Sequence, residues 1–168
     1  MKKFLTALAV SLIILGFSTA HIFAKEVSSY ELFWPITAGK VMGDSFYSVK
    51  TLRENIRGLL IIGTPKKAEY AVLLSTKRLV EAEKLINLGK TDLAEKTIKI
   101  EERFLDKALT WVDQANSVRT SYPDQKAEIV NRLDNMKIFL PWLIDKADKN
   151  KDSLTAVLQK VTLLSGRL

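Results

Sequence analysis

The chain has 168 residues, no cysteine, one histidine and a formal net charge of +7. This length is enough for one domain with its own core, whereas the lack of cysteine excludes disulfides and thiol nucleophiles. The single histidine, His21, lies near the N-terminus, so histidine-based triads and zinc sites are excluded from the rest of the chain. The 26 basic residues are mixed with 19 acids, which favours a solvated surface over a nucleic-acid or lipid footprint.

The N-terminal residues follow the pattern of an export signal. Lys2 and Lys3 precede an apolar run and then small residues that end at Ala20, the three parts of a secretory signal peptide. Cleavage after residues 1–20 would lower the net charge to +5, because two lysines leave with the signal. The alternative is an uncleaved anchor over residues 4–24, since about 20 apolar residues span a bilayer. We therefore expect an extracytoplasmic protein, either secreted or anchored in the cytoplasmic membrane.

Residues 21–43 are predicted to form an extended arm, because Pro35 stops any helix and two glycines follow it. Its aromatic residues are candidate anchors for a partner or for a membrane interface, since such rings combine an apolar body with, in Tyr and Trp, a polar handle. These residues are Tyr30, Phe33 and Trp34. The alternative is that the arm folds back and packs its rings on the helical body.

Apolar residues spaced by three and four predict five helices in residues 44–168. The predicted helices cover about residues 45–62, 65–88, 91–120, 124–149 and 153–165. The second and third form a long antiparallel hairpin that turns at Gly89, because glycine ends a helix in the left-handed conformation without a Cβ clash. Pro141 is expected to kink or break the fourth helix. The predicted fold class is therefore all-α: an antiparallel bundle of four to five helices built on a hairpin, behind a signal or anchor helix and the arm.

In the first of these helices the apolar positions are expected to face the core. They are Phe46, Val49, Leu52, Ile56, Leu59 and Leu60. The charged positions between them are expected to stay in water. They are Lys50, Arg53, Glu54 and Arg57. Asp44 is expected to cap this helix, and Thr91 or Asp92 is expected to cap the third. The buried face of the third helix is expected to be widened by Phe104, Trp111 and Val118.

Four short segments occur in an order that resembles a bacterial family of exported helical domains of unknown function. The segments are residues 46–50 (FYSVK), 53–57 (RENIR), 65–69 (PKKAE) and 77–85 (KRLVEAEKL). The resemblance covers about residues 30–111 and implies a compact helical domain behind a signal or anchor and an aromatic arm. The chain departs from the family at residues 42–45 (MGDS), where the family has prolines. The resemblance implies no enzyme activity and supplies no catalytic residues.

Asp148, Asn150 and Asp152 are a candidate calcium-binding set, because they follow the spacing of the first three ligands of a calcium loop. The pattern lacks the glycine and the final glutamate, with Ser153 and Gln159 in their places. A polar loop whose Asp152 or Ser153 caps the last helix is therefore the favoured interpretation, and we expect no metal and no cofactor.

Neighbouring acids such as Glu81 with Glu83 and Glu101 with Glu102 lie among lysines, a pattern typical of solvated helix faces rather than of acid–base catalysis. The leading hypothesis is a non-enzymatic, exported helical module that takes part in interactions or structure in the bacterial cell envelope. Its expected partner is an envelope protein or a membrane surface, not nucleic acid. The alternative hypothesis is an envelope chaperone that binds unfolded clients.

Overall fold

The structure, a computed structural model, describes residues 27–119 and 121–168. The predicted signal (residues 1–20) or anchor (residues 4–24) lies outside the described residues. The described part of the chain contains six helices and no strand. They are α1 (Ser29–Phe33), α2 (Tyr47–Leu60), α3 (Thr64–Asn87), α4 (Thr91–Ser117), α5 (Pro123–Lys146) and α6 (Lys151–Ser165). None of the six combines the length and the apolar composition that crossing a bilayer requires.

The α3–α4 hairpin is the centre of the molecule, and the predicted all-α class is confirmed. Gly89 joins the two helices with a φ of +70°, and the Lys90 amide donates to the Leu85 carbonyl across the turn. The predicted apolar stripe of α4 is fully buried, and that of α3 is buried except for the half-buried Ile86. The hairpin was predictable because a single left-handed glycine separates two long stripes of helical period.

Helices α5 and α6 cover the hairpin. Helix α5 packs on α3 and on α6, while α6 packs on α4. The predicted stripe of α5 is buried throughout, and α5 runs without a break past Pro141. Trp142, which follows the proline, packs at 5.3 Å from the Phe139 ring. A proline inside this helix is tolerated because the helix is held by its buried face on both neighbours.

The aromatic arm is folded back rather than extended. Residues 29–33 form the short helix α1, whose first turn is capped by the Ser28 hydroxyl accepting from the Glu31 amide. Phe33 is buried and meets the Phe139 ring edge-on at 5.4 Å, and the Asn135 amide donates to the Leu32 carbonyl. The alternative of an arm packed on the helical body is therefore the one observed, because the core offers Phe33 an apolar site on α5.

The predicted helix caps are wrong. The Asp44 carboxylate accepts from the Val41 amide instead of capping α2, whose N-cap is Phe46 at a φ of +66°. The N-caps of α4 and α6 are Lys90 and Asn150, and neither makes a side-chain cap bond.

Val118 was expected to widen the buried face of α4, but it is exposed because α4 ends one residue earlier, at Ser117. The other two residues of that predicted widening, Phe104 and Trp111, are half-buried.

Candidate functional site: a buried charge cluster beneath an exposed apolar face

The apolar residues of helix α2 face outward, against the prediction, whereas Arg53 and Arg57, two of its four charged residues expected in water, are exposed as predicted. Glu54, expected in water, is buried, whereas Leu59 is 84% exposed and Leu60 is 74% exposed. The two faces of α2 have the same helical period, so spacing alone does not decide which one faces inward. The outcome is decided by α3, which presents buried charges rather than apolar side chains to α2.

Arg78 of α3 is the centre of this contact. Its guanidinium is only 1% exposed, and one nitrogen, Nη1, donates to Glu81 Oε2 at 2.6 Å while Nη2 bonds to Glu54 Oε2. Glu54 also accepts from Lys77 Nζ at 3.1 Å. Because a buried charge is tolerated only when it is paired and hydrogen-bonded, these bonds fix the polar side of α2 against α3.

Tyr47 and Lys50 complete the cluster from the first turn of α2. The Tyr47 hydroxyl accepts from Arg78 Nη1 at 2.6 Å and lies 3.3 Å from Glu81 Oε2. Lys50 Nζ donates to Glu81 Oε1 and to the carbonyls of Ala38 and Lys40. We call Tyr47, Lys50, Glu54, Lys77, Arg78 and Glu81 the charge cluster. It joins α2, α3 and the arm in one hydrogen-bonded network.

Burial changes the pKa of two groups of the cluster, Glu81 and Tyr47. It raises the pKa of Glu81, and the Arg78 and Lys50 cations oppose that rise. Burial, with the nearby Glu81 charge, also raises the pKa of Tyr47 to about 12. The three cations and two carboxylates form four ion pairs and leave one positive charge in excess, and the described part of the chain places no group of acids or histidine there that would hold a metal ion. The arrangement is suited to holding α2 in place rather than to proton transfer on a substrate.

The other side of α2 is an exposed apolar surface, which we call the outer apolar face. It consists of Phe46, Val49, Leu52, Ile56, Leu59, Leu60 and Ile62, each at least half exposed. Contiguous apolar surface of this kind is uncommon on a monomeric soluble protein, which makes it a candidate interaction surface. The charge cluster and the outer apolar face thus lie on opposite sides of α2. The bonds that hold its polar side against α3 also turn its apolar side outward.

A groove of about 480 Å³ lies between α2, α3 and α4. Its apolar lining includes Leu59, Leu74 and Trp111, and Lys67 and Lys107 also line it. Gly58 allows the close approach of α2 here, because a Cβ at this position would lie 3.3 Å from the Tyr70 ring. The groove continues the outer apolar face toward the hairpin.

The aromatic residues predicted to bind a partner lie on different sides of α1. Tyr30 and Trp34 are exposed and contact each other edge-on, with 4.9 Å between ring centroids, whereas Phe33 is buried in the core. Only Tyr30 and Trp34 therefore face solvent, and partner binding through them stays a prediction.

The candidate calcium residues lie in the loop before α6 and at its start. The buried Asn150 amide donates to the Thr91 carbonyl and to Glu95, while Asp148 and Asp152 are exposed. Ser153 also donates to Glu95, so the loop ties the start of α6 to α4 through hydrogen bonds.

Sequence reasoning missed the charge cluster because it placed Glu81 on a solvated face and Glu54 in water. A signal was present: Arg78 and Glu81 lie three residues apart between buried Leu74 and Leu85, on the side of α3 that turns toward α2. Lys50 and Glu54, four residues apart, place the complementary charges on one side of α2. Glu101 was also placed in water, yet it is fully buried in α4.

Comparison with known proteins identifies the domain but not its activity. Neither curated proteins nor solved structures gave a significant match. Residues 39–162, which include all of α2 to α5 and most of α6, match the model of a family described as a domain of unknown function, DUF5667. The chain belongs to this DUF5667 family.

Proposed function

We propose that this protein is a non-enzymatic interaction module, exported to the bacterial cell envelope, which contacts an envelope component through the outer apolar face of α2. The observation that carries the proposal is the orientation of α2. A helix that buries Glu54 and exposes Leu52, Leu59 and Leu60 leaves apolar surface that water solvates poorly. A partner that covers this surface would stabilise the exposed orientation.

Two further features support the proposal. The N-terminal sequence has the basic, apolar and small-residue parts of an export signal, so an extracytoplasmic partner is expected. Glu54, Arg78 and Glu81 are occupied in holding α2, and the groove between α2, α3 and α4 contains no histidine or cysteine. These features support a role in binding more than a role in catalysis.

The absence of natural cysteine makes a direct test in cells feasible. Leu52→Cys places a single thiol on the outer apolar face, and Gln159→Cys places one on the exposed side of α6, which packs on α4 and α5. Intact cells of the native host are treated with a membrane-impermeant maleimide. We expect Gln159→Cys to react and Leu52→Cys to be protected roughly tenfold, whereas both react alike in the purified protein.

The two sites separate the parts of the proposal. If Gln159→Cys reacts only after cell lysis, export is refuted. If Leu52→Cys reacts in cells as fast as Gln159→Cys, no envelope component covers the outer apolar face and the interaction role fails.

A chaperone role is the second candidate, and the apolar groove flanked by Lys67 and Lys107 favours it. Unfolded chains expose apolar segments that such a groove would receive. A chaperone should slow the aggregation of an unfolded client at near-equal amounts, and Leu59→Gln should weaken that effect. Unchanged client aggregation with the parent protein would rule this role out.

A further inference from the structure

We propose that the envelope component is the surface of an anionic phospholipid membrane, with the outer apolar face of α2 entering the interface and a neighbouring basic groove receiving phosphate headgroups. This inference rests on the proposed interaction role of the outer apolar face. It adds the chemistry of the partner, which the proposed function leaves open.

The basic groove lies between the arm, α2 and α3 and has a volume of about 620 Å³. Five cationic side chains line it: Lys40, Lys50, Arg53, Arg57 and Lys77. No carboxylate is among the described residues that line it. A concave surface with one sign of charge concentrates the field and attracts the opposite charge, so the groove is suited to an anion.

Three of these cations are available to an incoming anion. Lys40, Arg53 and Arg57 are exposed and form no ion pair with any described residue, although Arg57 lies 5.6 Å from the centre of the Tyr70 ring. In contrast, Lys50 donates to three acceptors and Lys77 bonds to Glu54. Arginine offers several donors to a phosphate at once, which makes Arg53 and Arg57 the principal candidates for headgroup contact.

The basic groove and the outer apolar face are continuous, because Phe46 and Val49 belong to both. Phe46 has a φ of +66°, a conformation that a bulky residue rarely adopts, and yet its ring is 75% exposed. An exposed aromatic ring at the mouth of a cationic groove matches the boundary between acyl chains and headgroups.

The test uses the full chain with an environment-sensitive fluorophore on Leu52→Cys, and on Gln159→Cys as the control. Each labelled chain is added to vesicles of phosphatidylcholine alone and to vesicles of equal parts phosphatidylcholine and phosphatidylglycerol. We expect the Leu52→Cys probe to report an apolar environment much more strongly in the anionic vesicles, and the Gln159→Cys probe to stay unchanged. The N-terminal apolar segment, with Lys2 and Lys3, also favours anionic lipid, but it is the same in every variant, so the comparison between charge-neutralised variants isolates the contribution of the groove.

A charge-neutralised variant tests the groove itself. Changing Lys40, Arg53 and Arg57 to glutamine should reduce the association of α2 with anionic vesicles on the order of tenfold or more, since each basic residue at an anionic surface contributes appreciably. Changing Lys96, Arg103 and Lys126 to glutamine, an equal loss of charge away from the groove, should have little effect. High salt should weaken the parent response, and inorganic phosphate alone should not produce it.

Three results would overturn the inference. Equal Leu52→Cys responses in the two kinds of vesicle would exclude headgroup recognition, and a response lost equally in both triple variants would exclude the groove. Abolition of the response by low concentrations of inorganic phosphate would identify a site for free phosphate instead. If the outer apolar face is protected in cells but does not bind anionic vesicles, the proposed interaction role is retained, the membrane is excluded as the partner, and the partner is a protein.

Discussion

Replacing Arg78 with methionine is expected to lower the free energy of unfolding by about 3–5 kcal/mol, because removal of one partner leaves buried charges without compensation. Glu54 and Glu81 both bond to the Arg78 guanidinium, and both are buried. Lys77 and Lys50 each reach only one oxygen of one of these carboxylates, so they do not replace it. Chemical denaturation of the parent and the variant measures the difference.

Arg103→Met is the matched control, since Arg103 is exposed on α4 and has no ion pair with a described residue. Its effect should stay within about 0.5 kcal/mol. Replacing Glu54 and Glu81 with leucine in the Arg78→Met background should recover much of the loss, because an apolar core of similar volume needs no pairing. A loss below about 1 kcal/mol for Arg78→Met alone would show that the charge cluster does not hold α2.

Replacing Glu101 with leucine is expected to raise the free energy of unfolding by about 1–3 kcal/mol in mildly alkaline buffer, the scale of an unsatisfied buried polar group. Glu101 is fully buried in α4, and neither carboxylate oxygen has a hydrogen-bond partner of normal geometry among the described residues. Burial raises the pKa of Glu101 well above its usual value, the neighbouring Glu102 adds to the rise, and the Ser75 hydroxyl opposes it.

The raised pKa of Glu101 also fixes the sign of a pH dependence. In the folded protein the Glu101 carboxyl keeps its proton over a pH range in which the unfolded chain has already released it. The free energy of unfolding therefore falls as the pH rises from 4.5, the usual pKa of a glutamate, through the raised pKa of the folded protein. The gain from Glu101→Leu should therefore grow with pH and be small below 4.5. Melting curves over this range measure it, with Asp113→Asn, at an exposed position of α4, as the control. A loss of stability at alkaline pH in Glu101→Leu would contradict this prediction.

The hairpin and the helices that cover it were predictable from sequence because each has one apolar stripe and polar residues elsewhere. Ile98 and Leu105 on α4, like Ile129 and Leu133 on α5, repeat at helical spacing and have only one way to be buried. Gly89 marks the turn for an equally local reason, its left-handed backbone. Where the local sequence signals agree with the pattern of burial, the sequence alone is sufficient to predict the helices and the turn.

The candidate site was not predictable in this way, because local and tertiary preferences conflict in α2. Its apolar face, with Leu52 and Leu59, is the one that burial favours by area alone. The surface it meets on α3 carries Arg78 and Glu81, and covering these charges with leucine would remove the bonds that α2 supplies to them through Glu54 and Lys50. Which side of α2 is buried depends on the surface of α3 that it meets as well as on α2 itself. Considering each helix of the sequence separately does not show which surfaces meet.

A pair of glutamine substitutions on α2 measures directly whether its apolar face is exposed to water. Leu52→Gln combined with Leu59→Gln should lower the free energy of unfolding by about 1 kcal/mol or less, because both side chains are largely in water and surface substitutions cost little. Leu133→Gln, in the buried core of α5, should cost more than about 3 kcal/mol and calibrates the measurement. A loss of about 4 kcal/mol or more from the double substitution on α2 would place its apolar face in the core and contradict the orientation described.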